Sequence, residues 1–185
     1  MSPWRLRRLA RAVSRGAVFA YPTDTIWGLG CHPAQQASVE RIAQIKQRSL
    51  AKGLILLSNR LQYCRRFIDP CITPATLERL AQTQPRPTTW LLTAAHDCPH
   101  WLTGGKPTIA LRLCDLPHVA QLCDAIGYPL VSTSANISGR RHARSIHQVR
   151  RQFAAAVDFI VTANTPERTS ASRIIDAQSG KIIRD

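Results

Sequence analysis

Apolar positions along the chain follow two rhythms, and the switches between them outline the elements. Leu6, Leu9 and Val13 recur at helical spacing after Ser2-Pro3, a cap and first-turn pair, so the chain opens on a helix rather than a cleaved leader. Val39, Ile42 and Ile45 share one face of "ASVERIAQIKQ" (37–47), and Leu77 and Leu80 one side of "TPATLERLAQ" (73–82). "LPHVAQLCDAIG" (116–127) is a helix stopping at Gly127, and "SIHQVRRQFAAA" (145–156) a helix capped by Ser145. Between them lie short apolar runs that predict strands: "GAVFAY" (16–21), "GLILLS" (53–58), "TTWLLTA" (88–94), "TIALRLC" (108–114), "YPLVSTS" (128–134), "DFIVTA" (158–163) and "SRIIDA" (172–177). "KIIRD" is a hairpin partner across Ser179-Gly180, and "NTPERTSA" (164–171) a loop. Helices alternating with strands predict a mixed α/β fold, one domain over residues 1–185, with no repeat and no linker.

Charge adds a partner to this picture. The net charge is +14, and no acidic residue precedes Asp24 while Arg5, Arg7, Arg8, Arg11 and Arg15 do. None lies between Asp124 and Asp158, a stretch with Arg140, Arg141, Arg144, Arg150 and Arg151. Such a balance suits an anionic partner, nucleic acid or nucleotide, or else a solvated basic face. The six cysteines show no C-x-x-C spacing and several sit in apolar runs, so they read as reduced thiols of a cytoplasmic protein. His96, Cys98 and His100 are close together, but Pro99 and a loop-like context argue against a metal there. No run is long enough to span a membrane.

Four segments carry candidate chemistry. "YPTDTIWGLG" (21–30) puts Thr23, Asp24 and Thr25 after a strand, with Gly28 and Gly30 allowing close backbone approach; an ordinary glycine turn has the same residues. "KQRSLAKG" (46–53) gathers Lys46, Arg48 and Lys52 at a helix end, where cations favour both the helix dipole and a polyphosphate. Arg112, alone in "IALRLC", needs an ion-pair partner or a ligand carboxylate. "PLVSTSANISG" (129–139) delivers Ser132, Thr133, Ser134 and Asn136 at a strand end, as a polar turn or as a ligand cradle. There is no Walker A motif, no G-x-G-x-x-G, no G-x-S-x-G and no H-E-x-x-H. Any catalysis here rests on positioning and charge neutralisation, as in phosphoryl or nucleotidyl transfer.

Taken in order, "PTDTIWGLG", "KQR", "PTTWLL", "IALRL" and "PLVSTSANISG" make the chain resemble the YrdC/TsaC family of threonylcarbamoyl-AMP synthases, in its short single-domain bacterial form. The resemblance implies a twisted mixed sheet flanked by helices around a basic cavity. It implies a nucleotidyltransferase that makes L-threonylcarbamoyladenylate from L-threonine, bicarbonate and ATP with Mg2+, releasing pyrophosphate. The product would serve N6-threonylcarbamoyladenosine formation at position 37 of tRNAs reading ANN codons, through a downstream transferring complex, with a contact to tRNA itself. Carried over by motif, Lys46 and Arg48 are the catalytic pair on the ATP phosphates. Lys52, Thr89, Ser134, Asn136 and Ser172 complete the ATP site, and Thr23, Arg112 and Ser132 hold threonine. No protein metal ligand is implied. The chain departs from the family at Trp27, Ser49, Arg86 and Arg173, the last within "ASRIID". Two other readings stay open: an RNA-binding module of the same fold, and a paralogue acting on another carbamoyl or nucleotide substrate.

Overall fold

The computed structural model describes residues 1–82, 84–163 and 171–185. In chain order the elements are α1 (Pro3–Ser14), β1 (Phe19–Tyr21), β2 (Gly28–Cys31), α2 (Gln36–Lys46), β3 (Ile55–Ser58), α3 (Pro74–Ala81), β4 (Thr88–Thr93), α4 (His100–Thr103), β5 (Thr108–Leu113), α5 (Pro117–Ile126), β6 (Leu130–Ser134), α6 (Ile146–Phe153), β7 (Phe159–Ile160), β8 (Arg173–Asp176) and β9 (Ile182–Arg184). Three short 3₁₀ turns, Leu50–Lys52, Leu61–Tyr63 and Arg65–Phe67, surround β3. The caps follow the sequence. Ser2 accepts from Arg5 N with Pro3 in the first turn, Ser145 accepts from Gln148 N, and α5 ends on Gly127 at φ 68°.

The strands form one mixed sheet in the order β7-β1-β2-β6-β3-β5-β4-β8-β9. β6 lies between β2 and β3, antiparallel to both; β3 runs parallel to β5, and β4 parallel to β8. Alternate residues feed two cores, as a two-residue period requires. Ala20, Leu56 and Val131 point into one, with Val39 and Ile42 of α2 and Val149 and Phe153 of α6. Phe19, Tyr21, Leu57 and Leu130 point into the other, beneath Leu9 and Val13 of α1 and Val119 and Leu122 of α5.

Two expectations need correction. Segment 21–30, expected as a glycine turn or a ligand loop after β1, holds a further strand: Gly28–Cys31 is fully buried between β1 and β6. Its glycines hid it, and packing explains them: a Cβ on Gly30 would lie 2.9 Å from both the Tyr21 ring and the Val131 carbonyl oxygen. The run 158–163 pairs only over Phe159–Ile160. The loop expected at 164–171 falls outside the described residues except for Ala171. The hairpin at the chain's end is present, with β9 antiparallel to β8.

Candidate functional site

The loop after β1, the turn after α2, and strands β3, β5, β6, β8 and β9 enclose a cavity of about 410 Å³. Among the described residues its lining holds five cationic side chains, Arg48, Lys52, Lys106, Arg112 and Arg184, and no carboxylate. Volume and lining suit a small polyanionic ligand.

The turn after α2 separates two cations that are neighbours in sequence. Arg48 N–H bonds Ala43 O at 2.9 Å and Gln47 N–H bonds Gln44 O at 3.0 Å, the paired bonds of a Schellman motif. The left-handed residue this motif needs is Gln47, at φ 48°. Lys46 therefore turns inward and is buried. Its ammonium donates to the Ser134 carbonyl, to Asn136 O and Asn136 Oδ1 at 3.0 Å each, and weakly to Ser134 Oγ at 3.4 Å. Burial, with help from the Arg48 charge, lowers its pKa to about 8. Arg48 faces the cavity, donating to Thr133 Oγ1 at 3.2 Å and to Gly53 O at 3.0 Å.

β6 presents Ser132, Thr133 and Ser134 to the cavity. The Tyr21 hydroxyl donates to Ser132 Oγ at 2.7 Å, so the buried tyrosine over Gly30 also orients a cavity hydroxyl. Ser134 Oγ donates to Asn136 Oδ1 at 2.6 Å, while Asn136 Nδ2 donates to Ile137 O and Arg140 O. Asn136 thus straps the loop after β6 around the Lys46 ammonium. The segment divides the two roles: Asn136 builds the turn, and Ser132, Thr133 and Ser134 line the cavity.

The loop after β1 is tied in the same way. Thr23 Oγ1 accepts from Thr25 N and Ile26 N and donates to Ile26 O at 2.7 Å, which commits its hydroxyl to the loop itself. His118 contacts Pro22 O at 2.7 Å from beneath, and Ala135 N–H bonds Trp27 O at 2.7 Å from β6. Arg112, with a side chain only 6% exposed, pairs with Asp24 and donates to Thr25 Oγ1 at 3.2 Å; its Nε is buried without a partner. The ion-pair reading of Arg112 holds, and part of the guanidinium stays unsatisfied beside the cavity.

At the far side Arg184 reaches in from β9. It forks onto Ser172 O, with Nη2 at 2.7 Å and Nε at 3.2 Å. Ser172 Oγ lies 2.8 Å from Thr89 Oγ1. Partial desolvation of its guanidinium at the cavity wall and the neighbouring Arg112 lower the Arg184 pKa, while desolvation and Arg184 lower that of Arg48. The cavity thus stores unneutralised positive charge.

Of the residues singled out in sequence, Thr23, Arg48, Lys52, Arg112, Ser132, Ser134 and Ser172 line the cavity. Lys46, Asn136 and Thr89 do not; the first two act on Ser134 and the third on Ser172. Sequence reasoning missed Arg184, Lys106 and Tyr21, while Thr25, singled out beside Thr23, lines the cavity. Arg184 follows two isoleucines in "KIIRD", a cation beside apolar strand positions as Arg112 is. The departures from the family find places too: Trp27 lines the cavity, Ser49 caps Leu50–Lys52 through Ala51 N, and Arg86 and Arg173 both pair with Asp185. Among the described residues no three His, Cys, Asp or Glu side chains cluster as a metal site, and all six cysteines are free thiols.

A mixed sheet whose strand ends close hydroxyls and five cations around one cavity defines an α/β receptor for a small polyanion. The chain belongs to the Sua5/yciO/yrdC family, whose model, described as telomere recombination, matches residues 11–185. It is 43% identical to a threonylcarbamoyl-AMP synthase of Nitrosococcus oceani, over 98% of this chain and 97% of that one. A synthase of the same name from Cellvibrio japonicus is 41% identical, over 97% and 95%. Among solved structures, P. abyssi Sua5 complexed with L-threonine matches with a TM-score of 0.86 at 28% identity, over 95% of this chain and 52% of that one. The chain thus spans about half of the Sua5 chain. E. coli YciO shares the fold, with a TM-score of 0.85 at 22% identity.

Proposed function

We propose that this protein is an L-threonylcarbamoyladenylate synthase, a nucleotidyltransferase using L-threonine, bicarbonate and ATP. The observation that carries the reading is the convergence of Arg48, Arg112 and Arg184 on one cavity, with Asp24 as their single paired carboxylate among the described residues. A triphosphate and an amino-acid carboxylate supply the missing negative charge. Arg48, Lys52, Lys106 and Arg184 receive the phosphates, and Arg112 the carboxylate, beside Thr23 and Ser132. Lys46, Asn136 and Thr89 are positioning residues that act through Ser134 and Ser172.

The chemistry follows from charge. The threonine amine and bicarbonate form a carbamate with loss of water. A carbamate oxygen attacks the α-phosphorus, the bond to the bridging oxygen breaks, and pyrophosphate leaves. The cations stabilise charge that grows on the leaving phosphates, and the cavity holds nucleophile and phosphorus together. The lining hydroxyls, with no carboxylate cage among the described residues, suit Mg2+ held mainly by the nucleotide, where it would neutralise phosphate charge. The product is an activated acyl phosphate for a downstream complex acting on tRNA, in the cytoplasm where the thiols stay reduced.

The test is pyrophosphate release from ATP and Mg2+, with threonine and bicarbonate omitted in turn. Release that needs both is the expected result. Release indifferent to threonine would overturn the reading in favour of another acceptor.

A further inference from the structure

Helix α1 contributes nothing to the cavity, yet it holds the densest run of positive charge in the chain. Trp4, Arg7, Arg8, Arg11 and Arg15 stand at i, i+3, i+4, i+7 and i+11, which places them along one stripe. All five are exposed, and the Arg8 guanidinium lies over the Trp4 ring, 5.5 Å from its centroid. Trp4 is 61% exposed, unusual for so large an apolar ring. The first turn has no acidic residue, and among the described residues none of the α1 arginines pairs with a carboxylate.

The helix is weaker for this arrangement. Arg7 and Arg11, and Arg11 and Arg15, are like charges one turn apart, and Arg5 opposes the dipole at the N-terminal end. Such conflict between local preference and sequence is expected where a surface serves a ligand. A basic helix with a tryptophan also suits a membrane surface, but that requires a free apolar face. Here Leu9, Ala10 and Val13 are already packed in the core beneath α1, with α5 alongside. What remains outside is a row of guanidiniums and one aromatic plane, the combination that takes a phosphate backbone and a stacked base.

We propose that the Trp4–Arg15 stripe of α1 is an RNA-binding surface. Arg7, Arg8, Arg11 and Arg15 receive backbone phosphates, and a base stacks on Trp4. The inference rests on the proposed function, whose product is destined for tRNA, and adds a direct contact with a location. Adenylate synthesis itself needs no RNA, so the two readings fail separately.

The experiment titrates the full chain with unmodified bulk tRNA and with phosphatidylserine–phosphatidylcholine vesicles over a range of salt, beside the pyrophosphate assay. The variant R7Q/R8Q/R11Q should bind tRNA at least tenfold more weakly at about 100 mM salt, with the log–log salt slope reduced by about two to three. Its pyrophosphate release should match the parent. R144Q/R150Q/R151Q removes the same charge around α6 and should change tRNA affinity less than twofold. Trp4→Ala, which leaves every charge in place, should weaken tRNA binding several-fold and serves if the triple variant does not fold. Equal losses from the two triple variants would overturn the proposal, because net charge alone would then explain binding. Undiminished affinity in both α1 variants, or vesicle binding without tRNA binding, would overturn it as well.

Discussion

Lys46 and Arg48 are two positions apart and face opposite ways. Arg48 meets the ligand's space, while Lys46 holds Ser134 and Asn136 in place from beneath. Burial brings the Lys46 pKa down to about 8 from 10.5. Its own linkage to folding follows in sign: between pH 8 and 10.5 the unfolded chain keeps a proton the native state has released, so this contribution to stability grows as pH rises. Buried Cys114 and Cys123 act in the other direction. Burial pushes both thiols up to about 12, so above pH 9 the unfolded chain ionises first and stability falls. Activity is therefore best read below that window. With Lys46 required as a cation, kcat/KM for ATP should fall with an apparent pKa near 8 in a profile from pH 6.5 to 8.8. Bound phosphates favour the charged form, so the matching limb in kcat should lie about one unit higher or more. Lys46→Met should give a low, flat profile. An intact enzyme whose kcat/KM stayed level to pH 8.8 would show that the charge on Lys46 is dispensable.

The element that makes this division is the end of α2, a Schellman motif closed by Gln47 where glycine is usual. Gln47 is exposed, so its side chain can be changed with little effect beyond the backbone. Gln47→Val should cost about 1–2 kcal/mol, since a β-branched residue resists positive φ, and lower Tm by roughly 3–6 °C. It should also raise KM for ATP by turning Arg48 from the cavity. Gln47→Gly should keep KM and hold or raise Tm; a Val variant with unchanged KM would break the link between this turn and the site. At this scale the sequence was legible where one periodicity governed: α1, α2, α3 and α5 lie within a residue or two of their expected ends, and β3 to β6 within three. It was not legible at β2, because Gly28 and Gly30 answer to Tyr21 and the Val131 carbonyl, neighbours set by sheet order. The candidate site shows the same limit. Residue type and motif order found the hydroxyls and most of the cations, but not which of them touch the cavity. Lys46 became a buried support rather than a lining cation only because Gln47 turns the chain after it.

The cavity belongs to the whole molecule, since it needs Thr23 near one end of the chain and Arg184 near the other. The sheet order brings them together by placing β8 and β9 beyond β4 at one edge. Nothing in β9 is buried: Ile182 and Ile183 are about half exposed, and the strand rests on β8 through register pairs such as Ile174 with Arg184. Arg86 and Arg173 hold Asp185, but through exposed ion pairs of little worth to stability. What β9 gives the molecule is therefore the guanidinium of Arg184 rather than core. Ending the chain after Gly180 should lower Tm by only a few degrees, because both cores stay intact. Arg184→Gln keeps the strand and removes the charge. A charge-assisted bond of about 1.5–3 kcal/mol corresponds to a roughly ten- to hundredfold rise in KM for ATP, and both variants should show it. KM for threonine, governed by Arg112, should move much less in either. If Arg184→Gln kept its affinity for ATP while the truncated chain lost it, β9 would serve as a wall of the cavity, and the charge at its end would have no part in holding the nucleotide.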